Sequence, residues 1–335
     1  MSQSGTTLAQ HLGATFGGRK PEGAELARLV EAMATAARAL ARDVRRAALA
    51  GNLGLAGASN VTGDAQKKLD LVGNETVLGA AASTGLVAAV VSEELPEAQT
   101  LDPAGRYVLC TDPLDGSSNT DINGAVGTIF GVYPRAGSGP IAPGDLLRAG
   151  GEQILAGYVM YGPSTLLVYT AGQGTHGFTL DLERDAFVLS HPDLRCPASG
   201  PYYSANLARA RDWPSGVQRF LAGLTAPDGP ATAGGRTWSL RYTGALVADL
   251  HRSLIDGGIY FYPADAKNKQ GKLRLLYECA PLAFVVEQAG GKASTGARRI
   301  LDLRAESIHQ RVPLVIGSAD DVALYERFAR EGSQS

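Results

Sequence analysis

Two short apolar runs in the first half of the chain end directly in carboxylates. Residues 86–92 (LVAAVVS) are followed by Glu93 and Glu94, and residues 107–112 (YVLCTD) end in Asp112. Apolar runs of this length predict buried strands. Strands of an α/β sheet deliver the residues at their carboxyl ends to a shared cleft. This pattern therefore constrains the chain to a sheet whose buried strands end at an acidic site.

The remaining sequence alternates between helical and strand periodicity. Apolar residues recur at helical spacing between residues 24 and 50, where arginines occupy the other face. Further helices are predicted at 243–254, 278–289 and 319–330. Further strands are predicted at 125–133, 154–161, 165–170, 178–182, 186–190, 258–262 and 312–317. The mixture predicts an α/β (α+β) fold of layered sheets and helices.

The length of 335 residues suggests two domains. A stretch rich in proline, glycine and polar residues at 190–202 marks the expected boundary between them. We therefore predict an N-terminal arm at 1–22, a first domain at 23–195 and a second, α/β domain at 196–335.

Charge and cysteine content exclude several classes of protein. The chain has 31 Lys and Arg against 33 Asp and Glu, a balance that argues against a nucleic-acid binder. The three cysteines lie far apart, so a disulfide framework is not expected and a reducing cytoplasm is the natural compartment. No apolar run approaches the roughly 20 residues of a membrane span, and no signal peptide is recognisable. We expect a soluble cytoplasmic protein without nucleic-acid or membrane partners.

One glycine motif resembles a nucleotide-binding signature. Residues 172–177 match G-x-G-x-x-G, which in a dinucleotide site follows a strand and opens a helix. Here the motif lies between two predicted strands, so a glycine-rich hairpin is the preferred interpretation.

Acidic residues are concentrated in segments 63–70, 92–94 and 112–119 and at Glu278. Gathered carboxylates repel one another, which raises their pKa values unless cations are bound, and hard oxygen ligands suit Mg²⁺ or Mn²⁺. Gly116 would let the backbone approach a ligand closely, and the N–H groups after it would face an anion if they open a helix. Together these features predict a metal-dependent phosphatase.

A second group of candidate residues is cationic, aromatic or amide-bearing. Its members are Asn206, Tyr203, Arg241, Tyr242, Tyr262, Lys272 and Arg274. Taken singly, each is also consistent with scattered surface residues. As a group they suit a phosphorylated sugar, because cations bind phosphate while tyrosine and amide groups donate hydrogen bonds. Lys272 and Arg274 would share a side if their segment is extended.

Several blocks of the sequence resemble class I fructose-1,6-bisphosphatases, within the lithium-sensitive, metal-dependent phosphatase superfamily. The blocks are NVTGDAQKKLD (60–70), SEE (92–94), DPLDGSSN (112–119), VGTIFGVY (126–133), RYTGALVADLHR (241–252) and GKLRLLYECAPLAF (271–284). The resemblance implies a five-layered α/β/α/β/α sandwich of the sugar-phosphatase type with two domains. Residues 23–195 would be the metal-binding phosphatase domain, and residues 196–335 the C-terminal α/β sugar-phosphate-binding domain.

The same resemblance implies a role for each site residue. The metal ligands would be Glu93, Asp112, Asp115, Glu278 and the carbonyl of Leu114, holding two or more Mg²⁺, or alternatively Mn²⁺, per subunit. The residues that orient or deprotonate the attacking water would be Glu94, Asp70 and Asp64. The substrate-binding residues would be Gly116, Ser117, Ser118, Asn206, Arg241, Tyr242, Tyr262, Lys272 and Arg274.

Within the substrate-binding group, the resemblance implies a division of roles. Gly116, Ser117 and Arg274 would hold the 1-phosphate. The sugar and the 6-phosphate would contact Asn206, Tyr242, Tyr262 and Lys272. Arg241 would reach the active site of a neighbouring subunit, which implies a homo-oligomer, usually a tetramer.

The implied reaction is Mg²⁺-dependent hydrolysis of the 1-phosphate of fructose 1,6-bisphosphate, a step used in gluconeogenesis and in the Calvin cycle. Sedoheptulose 1,7-bisphosphate remains open as a main or second substrate. An inositol-type monophosphatase is less favoured, because a monophosphate does not require the cationic group. A catalytically dead metabolite-binding regulator is also less favoured, because it should have lost a metal carboxylate and none is missing.

Overall fold

The computed structural model describes residues 5–18, 22–59, 65–135, 137–226 and 236–332. Its helices are α1 (Leu8–Phe16), α2 (Glu22–Arg46), α3 (Lys68–Ser83), α4 (Pro143–Leu146), α5 (Ser215–Thr225), α6 (Leu246–Asp256), α7 (Ala280–Gln288) and α8 (Ala319–Gly332). None of these described helices is both long enough and apolar enough to cross a membrane.

The strands fall into two halves of the chain. The first half contains β1 (Leu55–Ser59), β2 (Ala65–Lys67), β3 (Val87–Ser92), β4 (Gln99–Thr100), β5 (Tyr107–Asp115), β6 (Val126–Pro134), β7 (Leu155–Tyr161), β8 (Thr165–Thr170), β9 (Thr175–Asp181) and β10 (Ala186–Leu194). The second half contains β11 (Tyr202–Ser204), β12 (Ser239–Leu240), β13 (Ile259–Tyr262), β14 (Leu273–Arg274), β15 (Lys292–Ser294), β16 (Arg311–Val312) and β17 (Leu314–Gly317).

Two large sheets alternate with layers of helices. The first sheet has eight strands in the order β10-β9-β8-β7-β6-β5-β3-β4, and the second has five in the order β12-β11-β13-β17-β15. Helices α1 to α3 form the layer outside the first sheet, α6 and α7 pack between the sheets, and α5 and α8 cover the second sheet. The predicted α/β/α/β/α sandwich is therefore confirmed.

Each interface between layers has its own hydrophobic core. Leu40 and Phe130 belong to the core between the outer helices and the first sheet, while Leu250 and Val285 belong to the core between the two sheets. Phe220 lies in the third core, under α5 and α8. Because helices cover both faces of the first sheet, every residue of β3 is buried, which explains why its sequence is continuously apolar instead of alternating.

The structure differs from the sequence-based elements at several places, and helices α3 and α5 are among the elements that the sequence did not predict. The expected arm at 1–22 contains α1, a helix that the sequence analysis did not predict; Thr7 accepts a hydrogen bond from the Gln10 N–H at its start. Strand β10 continues to Leu194, into the stretch expected to separate the domains, and its register with β9 shifts twice along the way. The helix expected at 278–289 begins at Ala280, after a π-helical turn over Leu275–Cys279.

The glycine motif at 172–177 forms the connection between β8 and β9 and the start of β9, as expected for a hairpin. Gly172 and Gly174 both adopt positive φ angles, of 79° and 82°, which glycine reaches without steric cost. The motif is therefore explained by the turn and opens no helix.

Two glycines are needed next to β13, because the backbones of neighbouring strands come into direct contact there. A Cβ atom at Gly258, where φ is +117°, would lie 2.1 Å from the carbonyl oxygen of Tyr202. A Cβ atom at Gly317 would lie 2.2 Å from the carbonyl oxygen of Gly258. Strands β11, β13 and β17 therefore approach one another at a point where no side chain fits.

We expect Gly258→Ala to destabilise the protein by about 2–5 kcal/mol, because it combines an overpacked contact with a strained φ angle. The matched control is Gly79→Ala, on the exposed face of α3, where an added Cβ meets no atom within 4 Å. That variant should stabilise the protein by roughly 0.5–1 kcal/mol. Urea denaturation measures both, and equal midpoints for Gly258→Ala and the parent would contradict the packing argument.

Candidate active site

The carboxyl ends of β3 and β5 open into a cavity of about 600 Å³. It is lined by these predicted site residues: Asp70, Glu93, Glu94, Asp112, Leu114, Asp115, Gly116, Ser117, Ser118, Asn206, Tyr242, Tyr262, Lys272, Arg274 and Glu278. Asp64 lies outside the described residues. Arg241 is exposed and does not line the cavity. The structure thus brings the first-half acids and the second-half cations and tyrosines into one site.

Parallel pairing of β3 with β5 places the first acids side by side. Ser92 lies opposite Thr111 in this pair, and the N–H of Glu93 donates to the Thr111 carbonyl at 3.2 Å. Glu93 and Asp112 therefore follow equivalent positions on neighbouring strands. This is the arrangement that the two apolar runs predicted.

Glu278 joins these acids from the π-helical turn before α7. One carboxylate oxygen from each of Glu93, Asp112 and Glu278 lies within 4.8 Å of the other two. We call these three residues the acidic trio. Single π turns inside helices are frequently found at functional sites, because they redirect one side chain without ending the helix.

Three ionised carboxylates as close together as those of the acidic trio repel one another, which is energetically unfavourable. Burial, followed by the charge of Glu93, raises the pKa of Asp112 well above its usual range. Burial also raises the pKa of Glu278 to about 8, although Arg274 opposes the shift. Hard oxygen ligands held this closely fit a divalent cation such as Mg²⁺ or Mn²⁺, whose charge would offset the repulsion.

Arg274 is the buried cation beside the acidic trio. Its Nη2 lies 2.9 Å from Oε1 of Glu93, and its Nη1 lies 4.0 Å from Oε2 of Glu278. The Arg274 guanidinium thus lines the cavity while contacting the acids. One guanidinium cannot neutralise three carboxylates, so the trio keeps capacity for a cation.

Asp115 binds the start of a helix. Its two oxygens accept hydrogen bonds from the N–H groups of Leu246 and Val247, at 3.1 and 2.7 Å. Burial raises the pKa of Asp115 to about 7, against the effect of those two hydrogen bonds. Asp115 therefore lies outside the acidic trio but within the same cavity, and it connects the end of β5 to α6.

Gly116 turns the chain after Asp115. Its φ angle is +74°, and a Cβ atom here would lie 2.4 Å from the Cβ of Ala245. The turn leads into a 3₁₀ helix that begins at Ser117, so that Ser117 and Ser118 line the cavity. A larger residue at position 116 would separate this turn from the start of α6.

Asp70 and Glu94 are acids of the cavity outside the trio. Oδ2 of Asp70 accepts a hydrogen bond from the Lys67 N–H at 2.7 Å, and the side-chain amide of Gln66 donates to Oε2 of Glu94. Burial raises the pKa of Asp70 to about 6. Burial, reinforced by the charge of Asp70, raises that of Glu94 to about 7. Carboxylates with such pKa values can exchange protons near neutral pH.

The second half of the chain contributes hydrogen-bond donors to the cavity. Tyr262 ends β13, and Lys272 immediately precedes β14. Asn206 and Tyr242 line the same cavity. Burial raises the pKa of Tyr242 to about 12, so its phenol keeps its proton and can donate to a ligand.

Six further residues line the cavity without having been predicted from the sequence. They are Leu55, Lys67, Gly244, Leu246, Tyr260 and Leu273. Lys67 lies within the sequence block at 60–70, so the sequence alone could have indicated it as a site residue. Its ion pair with Asp121, at 2.5 Å, could not be predicted, because only the fold brings the two residues together. Tyr203, one of the candidates for sugar binding, does not line this cavity.

Comparison with known proteins places both halves of the chain in one family. Family models described as fructose-1-6-bisphosphatase, N-terminal domain and C-terminal domain, match residues 16–192 and 196–330. A relative named fructose-1,6-bisphosphatase class 1 2, from Acaryochloris marina, is 54% identical over 92% of each chain. A class 1 relative from Sorangium cellulosum is 50% identical over 90% of this chain and 87% of its own.

The fold is also similar to those of solved structures. A crystal structure of Leishmania major fructose-1,6-bisphosphatase in holo form matches with a TM-score of 0.90 and 37% identity, over 97% of this chain and 99% of the other. The matches cover both sheets and every block of sequence that lines the cavity. The chain belongs to the class 1 fructose-1,6-bisphosphatase family.

Proposed function

We propose that this chain hydrolyses the 1-phosphate of fructose 1,6-bisphosphate and releases fructose 6-phosphate and inorganic phosphate. The observation that carries the proposal is that one cavity holds both the acidic trio and the donor set Asn206, Tyr242, Tyr262 and Lys272. Acids of this kind suit a metal-assisted phosphatase, and the donors suit a phosphorylated sugar. The names of the class 1 relatives support the same substrate.

The acidic trio, with Asp115 and the Leu114 carbonyl, would hold two or more Mg²⁺, or alternatively Mn²⁺, per subunit. When bound, such ions supply Lewis-acid stabilisation of phosphoryl charge and lower the pKa of coordinated water. These metal-ligand candidates fit this role, since the acidic trio gathers carboxylate oxygen atoms at one edge of a buried sheet.

The side chains around the trio would perform the binding and proton transfer. Gly116, Ser117, Ser118 and Arg274 would bind and orient the 1-phosphate. Glu94, with Asp70 and Asp64, would orient the attacking water and accept its proton. The water oxygen bonds to phosphorus, the bond between phosphorus and the C1 oxygen breaks, and that oxygen takes up a proton.

We assign the enzyme to the cytoplasm, because its three cysteines are free and buried. The reaction is a step of both gluconeogenesis and the Calvin cycle. Sedoheptulose 1,7-bisphosphate is the alternative substrate.

The substrate assignment predicts a pattern of phosphate release. Purified protein is given fructose 1,6-bisphosphate, sedoheptulose 1,7-bisphosphate or inositol 1-phosphate, each with Mg²⁺ or with EDTA. We expect release from fructose 1,6-bisphosphate with Mg²⁺ and none with EDTA. A higher kcat/KM on the sedoheptulose compound would favour the alternative. No phosphate release from any of the three substrates would refute the proposed phosphatase activity.

The substitution Lys272→Ala tests the proposed binding of the sugar and its second phosphate. We expect KM for fructose 1,6-bisphosphate to rise by about ten-fold or more, because a charge-assisted contact to phosphate contributes on the order of 1.5–3 kcal/mol. The kcat should change much less, because the trio is untouched. Lys269→Ala removes an exposed lysine outside the cavity and serves as the control. An unchanged KM in Lys272→Ala would contradict its assignment.

We propose a homotetramer in which Arg241 completes a neighbouring subunit's site. Arg241 is exposed and lies outside its own cavity, with its guanidinium 5.5 Å from the ring centre of Tyr202. Coexpression of Arg241→Ala with Asp115→Asn tests this arrangement. Each variant alone should be nearly inactive, whereas mixed oligomers should regain activity, since an intact site then receives Arg241 from its neighbour. Absence of complementation in verified mixed oligomers would contradict the proposal.

A further inference from the structure

We propose that Gln66 is a positioning residue that holds the carboxylate of Glu94 in place for proton transfer; this inference rests on the proposed function. Gln66 lies in β2 and is buried, with 8% of its surface exposed. Its Nε2 donates a hydrogen bond to Oε2 of Glu94.

Repulsion between neighbouring acids makes this contact important. Asp70 and Glu94 line the same cavity, where two carboxylates repel each other. Two adjacent residues of β2 counter the repulsion, because the Lys67 N–H binds Asp70 at 2.7 Å while the Gln66 amide binds Glu94. The pairing of β2 with β1 fixes the backbone that carries both donors. One short strand therefore supplies a donor to each carboxylate.

The backbone of Glu94 is held separately. Its N–H donates to Oγ of Ser92 at 3.3 Å, and that hydroxyl donates to Oδ1 of Asn74 at 2.7 Å. Ser92 and Asn74 are both buried. Because the backbone of Glu94 is fixed, only its side-chain torsion angles remain free to change. The hydrogen bond from the Gln66 amide to the carboxylate restrains these torsion angles.

An amide is chemically suited to this task. It donates a hydrogen bond without bringing a positive charge, so it orients the carboxylate and leaves the negative charge available to a water proton. An aliphatic residue at position 66 would leave Oε2 of Glu94 without its donor beside Asp70. A misplaced proton acceptor lowers the rate of the chemical step more than the binding of substrate.

The test uses Gln66→Met, which keeps the length of the side chain and removes the donor. With Mg²⁺ and fructose 1,6-bisphosphate, we expect kcat to fall by about ten-fold while KM changes less than about two-fold. Gln99→Met, on the exposed strand β4, makes the same exchange away from the site and should behave like the parent. A rise in KM with unchanged kcat would overturn the positioning role.

A double-mutant cycle shows whether Gln66 acts through Glu94. In the Glu94→Gln background, adding Gln66→Met should leave kcat unchanged, because the group being positioned is already lost. The same four proteins without metal should show non-additive shifts in Tm, which tests the contact independently of activity. Multiplicative losses in kcat, or additive Tm shifts, would overturn the inference.

The cycle also separates this inference from the proposed function. A parent enzyme that hydrolyses none of the bisphosphates refutes the function and, with it, the role of Gln66 in that reaction. An active parent whose Gln66 and Glu94 variants are independent refutes the role of Gln66 alone.

Discussion

The active site requires several carboxylates to be held close together in largely buried positions. Isolated ionised carboxylates are costly to bury, and three within reach of one another repel in addition. Glu93 and Asp112 occupy such positions because β3 and β5 are parallel neighbours whose carboxyl ends coincide. The helices on both faces of this sheet hold the strands in register by apolar packing. The hydrophobic layers thus maintain an arrangement that the charges alone would oppose.

Asp115 and α6 link this acidic edge to the second sheet. Helix α6 packs between the sheets, and its first N–H groups bind Asp115 at the end of β5. A carboxylate at a helix N-terminus is also favoured by the helix dipole. The turn before α6 is fixed because the N–H groups of Thr243 and Gly244 donate to Asp249. Tyr242, which precedes that turn, is therefore placed relative to the acids by the hydrogen bonds of Asp115 and Asp249 and by the helix that joins them.

The sequence predicted those parts of the site that have a local signal. Apolar strands that end in acids indicated Glu93 and Asp112, and the sequence blocks indicated the layers and the family. The π turn that redirects Glu278 was not predicted, because its pattern does not differ from that of an ordinary helix start. Gln66 was also missed, because its partner Glu94 is 28 residues away and only the fold brings them together. Helix α1 was missed because it is short and its apolar residues meet other elements only in the folded protein.

The two cations that flank Leu273 explain why a ligand with two phosphates suits this cavity. In an extended segment, residues two apart point to the same side and their Cα atoms are separated by roughly 6.6 Å. Arg274 contacts Glu93 and Glu278, whereas Lys272 forms no ion pair with any acid among the described residues. A ligand with one phosphate near the acidic trio would leave Lys272 without a counter-charge. A sugar that carries a second phosphate at its far end would supply one, so the spacing of these cations favours a bisphosphate over a monophosphate.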